Sequence, residues 1–359
     1  MASKTSPNVN ALFLATRAEE QKLRKAKQSL SRQYLQTRVQ ARASAAVTRA
    51  TAFNLRAATN PAPETNVVGL GLGEKISQGR STGIPAVKVL VRIKYPESQI
   101  PKALLLPKTV QGMPVDVEEV GTFRAALKKP VKPSTKIPDP RVHLRPAQPG
   151  ASIGFRDPGN AFIMAGTFGL LVKKNGKTFI LSNNHVLADE GRLPIGDPIF
   201  QPGLLDQGNP ATDQIASLSE FVALQAGAAN VVDAAIAEIL PGMAIRDILV
   251  IGPPQGTADA AFDMVVHKFG RTTSYTAGRI TSLETDVNVE YETGTFMFSD
   301  QILIQGNNGS QFSAAGDSGS AIVERASGKV VGLLFAGSNT HTIANHIGEV
   351  FKALSISLA

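Results

Sequence analysis

The 359-residue sequence contains no cysteine. That absence excludes a disulfide-stapled scaffold, thiolate-ligated zinc or iron–sulfur sites, and any cysteine nucleophile. The chain is long enough to bury a core without staples, and its length predicts about two to three domains of roughly 100–200 residues. Long apolar runs are also missing, and nothing approaches the ~20 consecutive apolar residues that a membrane-spanning helix needs. The opening Met1-Ala-Ser-Lys-Thr-Ser-Pro leads into a charged run with no apolar stretch, so no secretory leader is expected. A cytoplasmic location is the expectation, in keeping with the missing cysteine. Hydrophobic residues at 43% and charged residues at 18% describe an ordinary globular chain rather than a disordered one.

The charge that is present is unevenly placed. Residues 1–60 carry 11 Lys/Arg against 2 Glu, and residues 122–150 carry 7 basic groups against Asp139 alone. Residues 61–121 are nearly balanced, whereas residues 151–359 carry 12 basic and 20 acidic groups. The net charge of +8 therefore belongs to an N-terminal arm and a linker, while the largest part of the chain is acidic. Docking of the basic arm on this acidic part is the favoured reading. Nucleic acid, an anionic surface or a second copy of the chain are the alternatives.

Four regions follow from composition. Residues 8–57 lack Gly and Pro, and Leu23, Leu30, Tyr34, Val39, Ala43 and Val47 recur at helical spacing, so 1–60 reads as a helical arm. Between 61 and 121 the pattern turns to strands at Asn66–Gly73, Ala86–Lys94 and Met113–Val120, a small α/β module. Gly69, Gly71 and Gly73 imitate a dinucleotide fingerprint. Their G-x-G-x-G spacing inside a strand, with no helix after it, marks bulge or close-approach positions instead. Six prolines among basic residues make 122–150 an extended linker. From 151 to 359, many short apolar runs separated by Gly, Asn, Asp and Pro predict a mainly β domain, with one helix from Ile347 to about Leu354.

Three local signals in this β region carry chemistry. Leu181-Ser-Asn-Asn-His185 sets a histidine in a polar turn directly after a strand. Val232-Asp233-Ala-Ala-Ile-Ala sets one carboxylate in an apolar strand, and Gly316-Asp-Ser318-Gly-Ser320 sets a serine between glycines. Each alone has an ordinary structural reading as a core histidine, a turn cap or a tight turn. Together they run His, Asp, Ser at intervals of 48 and 85 residues, against roughly 45 and 93 in the serine-protease template. A serine hydroxyl needs an adjacent base, histidine titrates near neutrality, and a desolvated carboxylate fixes its tautomer. The glycines around Ser318 leave the N–H groups of Gly316 and Ser318 free to converge on a developing oxyanion.

On these pieces, residues 151–359 resemble the trypsin/chymotrypsin-type serine endopeptidases. Gly166-Thr-Phe-Gly169, Gly270-Arg-Thr-Thr-Ser-Tyr-Thr-Ala-Gly278 and Val331-Gly-Leu-Leu-Phe-Ala-Gly337 add to the likeness. Gly-Arg-Thr-Thr and the module ending Val117-Glu-Glu-Val-Gly121 resemble a bacterial intracellular-type branch more than the secreted digestive enzymes. The resemblance implies a double β-barrel with its active site between the barrels, acting on protein or peptide substrates without cofactor or metal. It implies His185 as general base and acid, Asp233 as its orienter and Ser318 as nucleophile. It places a specificity pocket at Phe312, Ser313, Ala336 and Gly337. Phe312 brings no charge there, so an apolar or small residue before the cut is expected. His341 and His346 follow in linear order, and structural roles are favoured for both over binding an acidic side chain. The barrel begins Ala151-Ser-Ile-Gly-Phe, with no site at which a cut would free an Ile-Val amino terminus to pair with Asp317. Asp317 must then find another partner, or its loop must be ordered by something that binds. A protease fold serving as a binding or scaffolding module is the competing reading.

Overall fold

The computed structural model describes residues 17–36, 65–125, 138–156 and 164–359. Residues 1–16 and 37–60 of the expected arm and residues 126–137 of the proline-rich linker lie outside these residues. Among the described residues no helix is long and apolar enough to cross a membrane.

The chain opens with α1 (Arg17–Ser31) and continues into β1 (Val67–Ser77), β2 (Arg80–Val91), β3 (Thr109–Val110) and β4 (Met113–Glu119). A first barrel-like sheet follows from β5 (Ser152–Phe155), β6 (Gly166–Thr167), β7 (Leu170–Lys174), β8 (Lys177–Ser182), β9 (Pro198–Phe200) and β10 (Gln214–Phe221). The one-turn helix α2 (Asn184–Leu187) sits directly after β8. The short β11 (Ala229–Asn230) precedes β12 (Ala235–Ile239), which pairs between β8 and β10. The second barrel comprises β13 (Val265–Gly270), β14 (Ser274–Glu290), β15 (Thr295–Gly306), β16 (Ala321–Glu324), β17 (Val330–Gly337) and β18 (His341–His346). It closes in the order β14-β15-β18-β17-β16-β13-β14. The C-terminal helix α3 (Ile347–Leu354) then leads to β19 (Ser357–Leu358), which pairs with β7 and returns the chain to the first barrel.

This is the mainly β, double-barrel architecture that the sequence led us to expect. The stretch read as a small α/β module carries four strands and two single-turn 3-10 segments among its described residues. Its sheet is continuous with the second barrel, because β1 pairs antiparallel with β14. Gly71 shows why glycine is needed there: a Cβ would lie 2.2 Å from Ser282 Oγ and 2.7 Å from Thr285 Oγ1. The glycine run is a close-approach device, with a register shift between Leu70 and Leu72.

Alternating inward apolar side chains fill each barrel. Ile153, Phe168, Ile180, Ile199 and Ile215 form the first core, and Val266, Ile280, Ile304, Ile322 and Val331 belong to the second. Between them Leu181, Val232, Ile236, Phe269 and Leu333 make a shared seam that α3 closes with Val350 and Leu354. The described part of the arm docks on the second barrel. Leu23 and Leu30 join its apolar cluster, Lys27 Nζ bonds Asp286 Oδ1 at 2.8 Å, and Arg24 Nε reaches Glu284 Oε1 at 2.7 Å.

Candidate active site

The sequence places His185 just after β8, and α2 turns its backbone so that two N–H groups meet one carboxylate oxygen. Asn184 N–H donates to Asp233 Oδ1 at 2.7 Å and His185 N–H to the same oxygen at 3.3 Å. The other oxygen, Oδ2, lies 2.5 Å from His185 Nδ1. Asp233 itself is not inside the strand, as its apolar surroundings predicted, but two residues ahead of β12. Its backbone bonds go to side chains rather than to a ladder: its N–H to Asn345 Oδ1 at 3.0 Å, its carbonyl to Asn183 Nδ2 at 2.8 Å. Asp233 is fully buried. No Lys or Arg is paired with it among the described residues, so its charge faces the imidazole.

Ser318 comes from the opposite barrel, in the turn before β16. β6 ties this turn to the first barrel: Thr167 N–H donates to Ser318 O at 2.8 Å and Thr167 Oγ1 to Gly316 O at 2.8 Å. The Ser318 hydroxyl donates to Phe335 O at 3.4 Å, while His185 Nε2 is buried and makes no hydrogen bond. The structure thus joins His185 to Asp233 and leaves the serine–histidine bond unmade. Gly316 has φ +97°, a left-handed conformation that favours glycine. Among the described residues neither its N–H nor that of Ser318 is taken up by a hydrogen bond.

Asp317, next to the nucleophile candidate, is held without any freed amino terminus. It accepts from the N–H groups of Thr272 at 2.8 Å, Thr273 at 3.1 Å and Ala314 at 2.9 Å, and from Thr273 Oγ1 at 2.7 Å. Lys268 Nζ stands 3.4 Å from its carboxylate, both side chains fully buried. Burial pulls the Lys268 ammonium below the usual lysine range, and the Asp317 charge works against that pull. Gly270 lets β13 pass this close: a Cβ there would meet Asp317 Oδ1 at 2.6 Å and Ser320 Oγ at 2.5 Å.

Of the four specificity-pocket candidates, Ser313 and Gly337 lie together, a Cβ on Gly337 falling 3.1 Å from Ser313 Oγ. Ala336 is the neighbouring residue on β17, whereas Phe312 turns into the core. Phe312 packs in the second barrel's core, its ring centroid 5.9 Å from Lys268 Nζ. Ser313 Oγ bonds Thr342 Oγ1 at 2.5 Å, and Ala336 is buried beside Phe335 and Phe298. Gly337 exchanges both backbone bonds with Arg124: Arg124 N–H to Gly337 O at 3.0 Å, Gly337 N–H to Arg124 O at 3.1 Å. The same short segment bonds Glu290 on its other side, through Ala125 N–H to Glu290 O at 3.1 Å and Glu290 N–H to Phe123 O at 3.0 Å. Phe123 is fully buried. His341 and His346 do not share a site. His341 Nε2 pairs with Glu118 Oε1 at 3.1 Å, whereas His346 faces Asp300 at 3.8 Å, beside Arg24 and Lys27.

Tyr291, Asn345 and Gln301 complete the surroundings of Asp233, and sequence reasoning missed all three. Tyr291 OH donates to Asp233 Oδ2 at 2.7 Å, Asn345 Nδ2 to Gln301 Oε1 at 2.7 Å, and Gln301 Nε2 to Val231 O at 2.8 Å. Asn345 and Gln301 are isolated polar residues in strands and Tyr291 follows the last residue of β14, and none of them carries a motif. Lys268 did leave a signal, since it shares the inward face of β13 with Val266. No group of three or more potential metal-ligating side chains converges among the described residues.

In structure the chain is similar to chymotrypsin-like serine proteases. A glutamic acid-specific serine protease described as using a histidine triad in substrate binding matches at 16% identity and TM-score 0.43, covering 59% of this chain and 100% of that one. Thermobifida fusca protease A matches at 15% and 0.42, covering 59% and 99%. Cellulomonas bogoriensis chymotrypsin matches at 16% and 0.39, covering 59% and 97%. No protein-family model and no curated protein sequence matches the chain.

Proposed function

We propose that the protein is a serine endopeptidase in which Ser318 is the nucleophile, His185 the general base and acid, and Asp233 the orienter. The observation that carries this reading is the 2.5 Å contact between His185 Nδ1 and Asp233 Oδ2 in a buried site without a competing cation. The relay requires the Ser318 hydroxyl to turn from Phe335 O toward Nε2. As Oγ attacks the scissile carbonyl carbon, its proton passes to Nε2. The carbonyl oxygen gains the charge, which the N–H groups of Gly316 and Ser318 are free to receive. Collapse returns the proton to the leaving amine and leaves an acyl-enzyme, which water hydrolyses by the same steps. Ser313, Ala336 and Gly337, which bring no charge, favour an uncharged side chain before the cut.

The reading includes latency. Extended peptides bind by adding a strand to a sheet edge. The β17 edge that ends beside Ser318 is already paired, at Gly337, with this chain's own Arg124. The antiparallel direction carries that segment from Arg124 toward Phe335, whose carbonyl accepts the Ser318 hydroxyl. Residues 122–125 thus hold the place of a substrate strand. Inhibition by the N-terminal arm is less favoured, because α1 engages Glu284 and Asp286 instead. Those ion pairs also favour self-docking over nucleic acid for Arg24 and Lys27.

Labelling with a small fluorophosphonate tests the triad. Wild type should label, and Ser318→Ala and His185→Ala should not; an unlabelled wild type overturns the reading. Latency is tested by peptide length. Arg124→Pro and Phe123→Ala should accelerate hydrolysis of peptides with three or more residues before the cut and leave shorter ones unchanged. Equal effects on both lengths, or none, would remove the segment from regulation.

A further inference from the structure

Tyr291 lies outside every motif in the sequence, yet its hydroxyl reaches a fully buried carboxylate of the site. We propose that Tyr291 is a positioning residue, whose hydroxyl locks Asp233 in the rotamer that holds the His185 imidazole and moderates the charge on Oδ2. This rests on the endopeptidase reading. The argument begins with lone pairs: an ionised carboxylate offers about four acceptor sites. At Asp233 the N–H groups of Asn184 and His185 meet Oδ1, and His185 Nδ1 and Tyr291 OH meet Oδ2. The carboxylate is saturated, and Tyr291 is the only donor that the second barrel contributes to it among the described residues.

The ring cannot easily leave. It lies 5.9 Å from Phe298 in a stacked arrangement, 5.3 Å from Phe296 edge-on, and 5.8 Å edge-on from the His185 ring. A phenylalanine would fill the same space. A buried hydroxyl is costly unless bonded, and this one is aimed at Asp233. Burial, reinforced by the Asp233 charge, pushes the phenol well above 10, so it stays a donor across the working pH range. Glu190 is the other carboxylate acting on the phenol, and it is itself bonded to the Glu292 and Thr293 N–H groups at 3.1 Å.

Removing the hydroxyl leaves more negative charge on Oδ2 and should favour the imidazolium. Loss of the lock on the Asp233 rotamer misplaces the imidazole, so Tyr291→Phe is expected to lower kcat by about 10–100-fold, with KM within about two-fold. The His185 titration, read by NMR in a Ser318→Ala background, should move to higher pH by about half a unit to one unit. In an Asp233→Asn background the kcat effect should largely vanish, because the carboxylate charge that the hydroxyl holds against the imidazole is gone. An unmoved His185 titration in a folded Tyr291→Phe protein overturns the proposal. So does an equal loss of kcat in the Asp233→Asn background. The NMR arm needs no turnover: a shifted titration in a protein that does not label with fluorophosphonate supports the role of Tyr291 while the endopeptidase reading fails.

Discussion

Replacing Lys268 by methionine removes the cation from a pair in which both side chains are fully buried. Breaking such a pair from one side typically costs about 3–5 kcal/mol, because an uncompensated charge stays in the interior. Here the lower end is expected. Asp317 keeps the N–H groups of Thr272, Thr273 and Ala314 and the Thr273 hydroxyl, whereas Ser274 O loses its 3.0 Å bond from Nζ. A loss of about 3 kcal/mol in urea unfolding, followed by far-UV circular dichroism, is the working figure. Removing both charges should restore part of it, since the uncompensated carboxylate is gone while the Asn amide nitrogen cannot accept the N–H bonds that one Asp317 oxygen received. Lys268→Met/Asp317→Asn should thus be more stable than Lys268→Met alone. Fluorophosphonate labelling should fall in both variants, because the carboxylate that anchors the Gly316–Ser318 turn is disturbed in each. A single variant that loses under about 1 kcal/mol, or a double variant no more stable than the single, would refute this account.

Two further perturbations test other parts of the fold. Burial opposes ionisation of Glu118, but the His341 hydrogen bond and the Lys88 ammonium outweigh it and lower its pKa from 4.5 to about 2. The depressed folded value contributes stability that is present above pH ~4.5 and is lost as pH falls through about 2. It amounts to roughly 3 kcal/mol at most. Urea unfolding between pH 6 and 2 should show this acid loss in wild type and a flatter curve in Glu118→Gln; parallel curves would contradict it. Gly71→Ala drives a Cβ to 2.2 Å from Ser282 Oγ, so a loss of about 1–3 kcal/mol is expected by the same unfolding assay. An unchanged midpoint would mean that β1 and β14 can separate there without cost.

What was legible in the sequence was local. His185 follows an apolar strand and Ser318 sits between glycines, so each reveals its turn within a handful of residues. Asp233 obeys the same logic, but its strand begins at Ala235, three residues later than the apolar run from Val232 suggests. The side chains of Asn183 and Asn345 take the bonds a ladder would have used, and no period in the sequence reports that. Lys268 was available to an argument from strand alternation, as an inward charge on β13. Tyr291 and Gln301 were not, because they lie 58 and 68 residues from Asp233 and carry no spacing signature. Long-range pairing was hidden for the same reason. Nothing local in Val67–Ser77 specifies β14 as its partner, and nothing in residues 122–125 specifies Gly337.

The origin of each group explains why the site needs both barrels. His185 and Asp233 come from the first, whereas Ser318, Tyr291 and Asn345 come from the second. Asp233 is bonded across the seam twice, by Tyr291 OH to its carboxylate and by Asn345 Oδ1 to its N–H. A slip of the barrels by little more than an ångström would stretch both bonds beyond useful length. It would also admit water to a carboxylate that owes its hold on the imidazole to desolvation. The apolar seam of Leu181, Val232, Ile236 and Leu333, closed by Val350 and Leu354 of α3, therefore does more than join two domains. It sets the dielectric and the alignment of the His185–Asp233 pair, so the groups that position the chemistry and those that hold the barrels together cannot be varied independently.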